Sequence, residues 1–237
     1  MFQYILANAT TFTIGLLFMI STLLLGLIAL YHASKQGCPE RRPTIMFGIA
    51  LLFFFAAHAV WTYRAAFFPT HPGLVVIFPY WQWFWILFML GVTFIGFWSI
   101  LLAHPMWFEV RKWGVILLFV PLLIVILDVV LLSNPATAEW VCSGVISDIR
   151  PDIIVILTVG LSLAFFTGLA IDFYYRKFKG YESKLVPFIV FLGLFLLLIG
   201  GLLETRVIPV CQVITSGRIL MLIGLWLTTY GVLRIEI

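Results

Sequence analysis

The chain has 237 residues, of which 63% are hydrophobic and 10% are charged, and its net charge is +4. Soluble domains carry about 25% charged residues, so this chain has too little polar surface to dissolve in water. The composition therefore excludes a water-soluble globular protein and predicts an integral membrane protein.

Seven long apolar runs follow one another along the chain. A transmembrane helix needs about 20 mostly apolar residues, whereas the strands of an outer-membrane barrel alternate polar and apolar residues over about 10 positions. The runs cover residues 11–31, 44–61, 80–103, 113–132, 153–173, 185–203 and 216–233. They predict an all-α, polytopic membrane protein that forms one seven-transmembrane-helix bundle over residues 1–237. The connections at residues 62–79 and 133–152 are long enough to hold substructure.

Lysine and arginine residues are concentrated on one side of the predicted bundle. Most of the 14 lie in the loops after helices one, three and five and at the C-terminus. Because cytoplasmic loops carry an excess of such residues, we expect the N-terminus outside, the C-terminus in the cytoplasm and the chain in the plasma membrane. The basic residues form no stripe with interleaved aromatic residues, so no nucleic-acid partner is predicted.

Helices one to three resemble helices five to seven in sequence. "GLIALYHASKQG" in helix one is similar to "GLAIDFYYRKFKG" in helix five, and "PTIMFGIALLFF" in helix two is similar to "PFIVFLGLFLLL" in helix six. "WILFMLGVTFIGF" in helix three is likewise similar to "RILMLIGLWLTTYG" in helix seven. These similarities favour parallel repeats over residues 11–103 and 153–233, joined by helix four. Apolar helices built from few residue types also resemble each other without any repeat, so both interpretations stand.

A plan of three, one and three helices with parallel halves resembles SWEET and PQ-loop transporters, TRIC channels and microbial rhodopsins. Rhodopsins bind retinal through a lysine in the middle of helix seven. Helix seven here, "SGRILMLIGLWLTTYGVL", has no lysine, and the chain contains no PQ dipeptide. The resemblance therefore implies a bundle of three, one and three helices, but it does not imply that the protein binds retinal.

The last two helices carry a second resemblance. The sequence "FLGLFLLLIGGLLETRVIPVCQVITSGRILMLIGLWLTTYGVLR" is similar to the end of the seven-helix membrane sensor modules of archaeal and bacterial signalling proteins, which close with a short outer turn and a Gly-rich final helix. The resemblance implies a sensor that acts through a cytoplasmic kinase or regulator. Because such sensors continue into that output domain and this sequence ends at Ile237, we expect a separate output partner.

Polar side chains near the outer ends of the helices are the predicted ligand-binding residues. His58 and Trp61 lie at the outer end of helix two, Asp128 lies in the outer part of helix four, and Arg218 lies at the start of helix seven. An ionisable residue at membrane depth costs at least about 2.5 kcal/mol and usually faces a cavity or a partner. Asp128 and Arg218 suit a mutual pair; the alternative is two side chains that extend to interfacial water.

Aromatic residues crowd the start of helix three. The run "YWQWFWILF" at residues 80–88 contains three tryptophans and a tyrosine. Trp and Tyr prefer the interface between membrane and water, so the run predicts an aromatic belt at the outer interface. The alternative is an aromatic-lined pocket for an apolar or quinone-like ligand.

The cysteines and histidines support two further predictions. Cys142 and Cys211 both fall on the oxidising outer side, where a disulfide would join the loop after helix four to the turn after helix six.

His32 and His104, at the inner ends of helices one and three, have the matching depth that bis-histidine ligation of haem b requires; the alternative is two interfacial histidines. Zinc-site, GxSxG, P-loop and GxGxxG motifs are absent from the sequence, so neither a metal site nor an enzymatic reaction is predicted.

These features favour a non-catalytic membrane module with a polar cavity in its outer half. It is predicted to be a receptor-like sensor, or a scaffold or subunit of a membrane complex, whose partners are the lipid bilayer and another protein subunit or soluble output protein. One alternative is a small-solute transporter or channel built from two parallel three-helix halves. Another is a membrane-anchor subunit of a respiratory complex with haem b or quinone. The sequence assigns no cofactor.

Overall fold

The computed structural model describes residues 9–37, 41–67, 74–103, 112–132, 138–141, 146–149, 153–180, 184–204 and 211–234. Seven helices lie within these ranges, and one of them changes its helical form near its end. They are α1 (Ala9–Lys35), α2 (Arg41–Phe67), α3 (Leu74–Ala103), α4 (Lys112–Ile126, continued by the π-helical segment Leu127–Leu132), α5 (Ile153–Gly180), α6 (Leu185–Glu204) and α7 (Cys211–Arg234).

Six of the described helices are long and apolar enough to cross a membrane: α1, α2, α3, α5, α6 and α7. Lipid provides no hydrogen-bond partners, so an apolar run must satisfy its backbone groups internally, and a helix does this within one segment. The prediction of a helical, multi-pass membrane protein is therefore confirmed. The apolar stretch of α4, Leu118–Leu131, is shorter, and the seventh crossing stays a prediction.

Several helices extend beyond the apolar runs that predicted them. α1 reaches Lys35, α2 reaches Phe67 and α5 reaches Gly180, because backbone hydrogen bonding continues after apolar side chains give way to polar ones. α3 begins at Leu74, so Pro79 lies inside the helix and does not precede it. Proline has no backbone N–H, so the helix lacks the hydrogen bond that position 79 would donate to the carbonyl oxygen of Val75.

The long connection between α4 and α5 holds a β-hairpin. Its strands are β1 (Ala138–Val141) and β2 (Ile146–Ile149), which pair antiparallel with Ala138 opposite Ile149. The sequence indicated room for substructure at this place. A pair of four-residue strands has no long apolar run, so hydropathy by itself did not predict the hairpin.

Six helices pack in a cyclic order. α1 packs on α2, α2 on α3, α3 on α5, α5 on α6, α6 on α7, and α7 returns to α1. α4 packs on α3 and α5 at the edge of this ring, where its Phe119, Leu123 and Leu131 side chains are exposed. α4 therefore lies outside the closed ring and packs on two of its members.

The closest approach of two helices is built from glycines of α6 and α7. A Cβ atom on Gly224 would lie 2.6 Å from the carbonyl oxygen of Gly193, and one on Gly200 would lie 2.5 Å from that of Gly217. Lipid is as apolar as the side chains, so helices in a membrane associate mainly through close packing, which small residues permit. α6 and α7 consequently meet backbone to backbone.

Candidate functional site

His58 lies where α1, α2 and α3 meet. Its ring centroid is 4.3 Å from that of Phe18 on α1 and 5.9 Å from that of Phe84 on α3. Its Nδ1 lies 2.7 Å from the carbonyl oxygen of Phe54, and since a carbonyl only accepts, Nδ1 must carry the donated hydrogen. The ring orientation is therefore set by one backbone bond and by the aromatic side chains around it.

Arg64 is a member of the site that the sequence prediction missed. Its side chain is only 1% exposed, and its Cζ lies 4.9 Å from the centroid of the Trp61 ring. The apolar run appeared to end at Trp61, which placed Arg64 in a loop, whereas α2 continues to Phe67. The spacing of three residues between Trp61 and Arg64 is the signal that would have found the contact, because such residues are neighbours on a helix.

The start of α3 contributes one buried and one exposed tryptophan. Trp83 is 59% exposed, as expected for an aromatic belt, whereas Trp81 is 2% exposed. Among the atoms that the structure describes, Trp81 Nε1 has no hydrogen-bond acceptor. A buried N–H without a partner is costly, so this donor is a natural contact for a ligand oxygen.

Asp128 lies in the π-helical segment of α4 and is 6% exposed. The segment follows Pro121, which interrupts the regular hydrogen bonding of α4. In the same segment the carbonyl oxygen of Val129 accepts a hydrogen bond of 2.7 Å from Gln82 Nε2 of α3. Short π-helical insertions often occur at functional sites because they change the direction of side chains and free backbone carbonyls.

Arg64 and Asp128 lie at one level along α3. Tyr63, the neighbour of Arg64, packs on Tyr80 with ring centroids 5.9 Å apart, and Val129, the neighbour of Asp128, bonds to Gln82. Within the described part of the chain, Arg64 is the buried residue with a basic side chain and Asp128 is the buried residue with a carboxyl side chain. A guanidinium and a carboxyl group therefore each lie next to a residue that contacts the first part of α3.

Arg218, the predicted partner of Asp128, lies in another part of the bundle. Arg218 is partly buried on α7, which packs mainly on α6 and α1, whereas Asp128 is on α4, which packs on α3 and α5. His58 and Trp61 pack on α3 through Phe84, and Asp128 lies on α4, which also packs on α3. The pair of Asp128 with Arg218 stays a prediction.

Two other predictions involve residues outside the described ranges. Cys142 and the side chain of Cys211 fall there, so the disulfide stays a prediction. His104 also falls there, and the haem pair of His32 with His104 stays a prediction too.

Together, the described groups at α2, α3 and α4 offer a guanidinium, an indole N–H, an imidazole and a carboxylate within mainly aromatic surroundings. This combination suits a small ligand with a polar head and an apolar body.

Comparisons with known proteins give no relative from which a role could be transferred. The sequence matches no protein-family model and no curated protein.

Proposed function

We propose that the chain is a non-catalytic, receptor-like membrane module that binds a small ligand between α2, α3 and α4 and acts through a separate output protein. The observation that carries the proposal is the burial of Arg64 and Asp128 at one level of α3. Buried charged groups in membrane helices are costly, and they usually mark a ligand or ion site when they persist. Arg218, the remaining predicted ligand-binding residue, lies on the opposite side of the ring of helices.

The position of α4 supports a change of helix packing upon binding. α4 lies at the edge of the ring and is joined to α3 near Asp128 by the bond between Gln82 and Val129. A ligand shifts a conformational equilibrium only by its difference in affinity between the two states. A molecule that contacts both Arg64 and Asp128 would favour the packing that brings α2 and α4 to the spacing the molecule requires.

The donors at the site indicate the chemical class of the ligand. The Arg64 guanidinium and the Trp81 indole N–H are both donors, so the ligand should present an acceptor such as a carboxylate or a carbonyl oxygen. The aromatic residues Phe84 and Phe88, which pack 5.7 Å apart beside His58, would contact an apolar body. Asp128 would accept from a donor group at the other side of the molecule.

The test is purification of the protein in mild detergent from its native membrane. Absorbance and mass spectrometry would then identify bound small molecules and co-eluting proteins. We expect a colourless complex with a stoichiometric protein partner and a bound small molecule that the Arg64→Gln variant loses. Arg41→Gln, an exposed position at the other end of α2, is the matched control and should retain the molecule. A lone protein without bound molecule would contradict the proposal.

A transporter of small solutes is the second candidate, and the cyclic order of the helices favours it. A two-fold axis between the halves would place α1 on α5, α2 on α6 and α3 on α7. It would therefore turn the contact of α3 with α5 into a contact of α7 with α1. Both contacts exist. The aligned glycines Gly91 and Gly224 both face the middle helix of their half. These relations support the parallel repeat, which transporters with a site between two halves use.

Flux measurements separate the two candidates. The purified protein would be placed in liposomes loaded with a mixture of amino acids and sugars, and efflux would be followed by mass spectrometry. Transport without any partner protein, lost in Asp128→Asn, would support the transporter. Retention of every solute together with a stable complex in detergent would support the receptor-like module.

A further inference from the structure

Aromatic and basic residues form pairs at the C-terminal ends of α1, α5 and α7. In each pair the aromatic residue precedes the basic one by four positions, so the two are neighbours on the helix surface. The cation lies over the ring in every pair. The pairs, with the distance from cation to ring centroid, are Tyr31 with Lys35 (4.2 Å), Phe173 with Lys177 (5.8 Å), Tyr175 with Lys179 (5.0 Å) and Tyr230 with Arg234 (5.3 Å). We call these four pairs the aromatic-basic collar.

The helix packing places all of these pairs at one end of the bundle. Phe47 near the start of α2 packs on Trp98 near the end of α3 at 5.1 Å, and Trp98 packs on Tyr174 of α5 at 6.3 Å. Val190 near the start of α6 lies against Gly231 near the end of α7. Leu30 of α1 lies against Gly48 of α2, and α6 begins at Leu185, shortly after α5 ends at Gly180. The C-terminal ends of α1, α3, α5 and α7 therefore share one end, which is the cytoplasmic end in the predicted orientation.

We expect the collar at the level where the chain leaves the hydrocarbon, because basic side chains follow the apolar parts of these helices. The candidate membrane spans of α1, α5 and α7 end at Lys35, Gly180 and Arg234. Within the described part of this end, the acidic side chain is that of Asp172, and its Oδ2 lies 2.6 Å from Arg176 Nη2. The collar cations therefore outnumber the described acidic side chains at this end, while the exposed Tyr31, Tyr175 and Tyr230 rings lie beside them.

We propose that the aromatic-basic collar binds the headgroup phosphates of anionic phospholipids. An aromatic ring prefers the level of the glycerol and upper acyl chains, and a cation held over that ring is positioned at the level of the phosphate. The Lys35 and Lys179 ammonium groups and the Arg234 guanidinium group carry several N–H donors, which can bond to phosphate oxygens while the cation contacts its ring. Electrostatic attraction by an anionic leaflet favours the same lipids.

The test compares lipid selectivity in the intact protein. The chain is placed in nanodiscs of phosphatidylcholine with a minor fraction of phosphatidylglycerol, and the retained lipids are counted by native mass spectrometry. Wild type should retain phosphatidylglycerol preferentially. The variant K35Q/K179Q/R234Q should lose this preference by about fivefold per cation removed, as expected from the attraction of one basic residue to an anionic surface. Arg176→Gln, whose cation is already paired with Asp172, is the matched control and should change little.

A second variant tests the rings apart from the charge. Y31L/Y175L/Y230L keeps every cation but removes the aromatic partners of Lys35, Lys179 and Arg234, the three cations replaced in the first variant. A collar that depends on these pairs should lose selectivity in this variant also. If the ring variant selects phosphatidylglycerol as strongly as wild type does, the aromatic rings have no role. Simple attraction between the cations and anionic lipids would then explain the selectivity. Selectivity equal to wild type in the charge variant would overturn the collar entirely. Thermal unfolding in detergent checks that both variants fold.

Discussion

Gln82 Nε2 of α3 donates a hydrogen bond to the carbonyl oxygen of Val129 at a distance of 2.7 Å, and this bond ties the π-helical segment of α4 to the ring of six helices. Asp128 precedes Val129, so the bond also determines where the buried carboxylate lies relative to α3. The position of α4 therefore depends on a few contacts, which variants can remove one at a time.

Replacement of Gln82 by Leu should destabilise the protein by about 1 to 2 kcal/mol, because it leaves a buried carbonyl without its partner between α3 and α4. Thr93→Val is the matched control, since the Thr93 hydroxyl donates within α3 to the Met89 carbonyl oxygen and joins no second helix. Thermal unfolding in detergent measures both. Equal losses in the two variants would show that the bond between α3 and α4 contributes nothing beyond local helix stability.

The contact between Trp61 and Arg64 should be measurable as a coupling free energy. A double-mutant cycle with Trp61→Leu and Arg64→Met should give about 1 to 2 kcal/mol, because a cation over a tryptophan is worth more when water is excluded. Trp83→Leu removes an exposed tryptophan of α3 and serves as the control partner for Arg64→Met. A coupling that is the same for Trp61 and Trp83 would contradict the contact.

Glycines 200 and 201 are adjacent in α6 but should respond oppositely to replacement by alanine. A Cβ atom on Gly200 would lie 2.5 Å from the Gly217 carbonyl oxygen, so the two helices must separate, at a cost of about 1 to 3 kcal/mol. A Cβ atom on Gly201 meets nothing within 4 Å, so Gly201→Ala should be neutral or stabilise the helix by up to about 1 kcal/mol. The unfolding temperatures of the two variants in detergent test this prediction. A lower unfolding temperature for Gly201→Ala than for Gly200→Ala would refute the close packing of α6 on α7.

The predicted orientation places Lys35 on the cytoplasmic side and Trp83 near the outer interface. In a background without native cysteines, a cysteine introduced at position 35 should react with a membrane-impermeant maleimide only after the cells are permeabilised. A cysteine at position 83 should react in intact cells. Labelling of position 35 in intact cells would reverse the orientation and would place the aromatic-basic collar at the outer leaflet.

The predicted disulfide between Cys142 and Cys211 tests whether their side of the membrane is oxidising. Mass spectrometry of peptides from the unreduced protein should recover Cys142 linked to Cys211, because secreted and outer surfaces favour disulfides. The Cys142→Ser variant should release Cys211 to alkylation. Complete alkylation of both cysteines without prior reduction would exclude the disulfide.

The sequence by itself determined that the chain is helical and crosses a membrane several times. This was predictable because a chain in hydrocarbon must satisfy every backbone group within its own segment, so a long apolar run implies a helix. Composition also indicated the positions of His58, Trp61 and Asp128 near helix ends, since polar residues are rare in such runs and stand out.

The neighbours of each side chain were decided by the tertiary structure alone. Arg64 looked like a loop residue until α2 was seen to continue past it, and its burial depends on which helices surround that extra turn. The π-helical segment around Asp128 bonds to Gln82 of α3, and Gly193 approaches Gly224 where α6 contacts α7. Hydropathy reports how each residue partitions between water and lipid, whereas these features arise from contacts between helices that are distant in sequence.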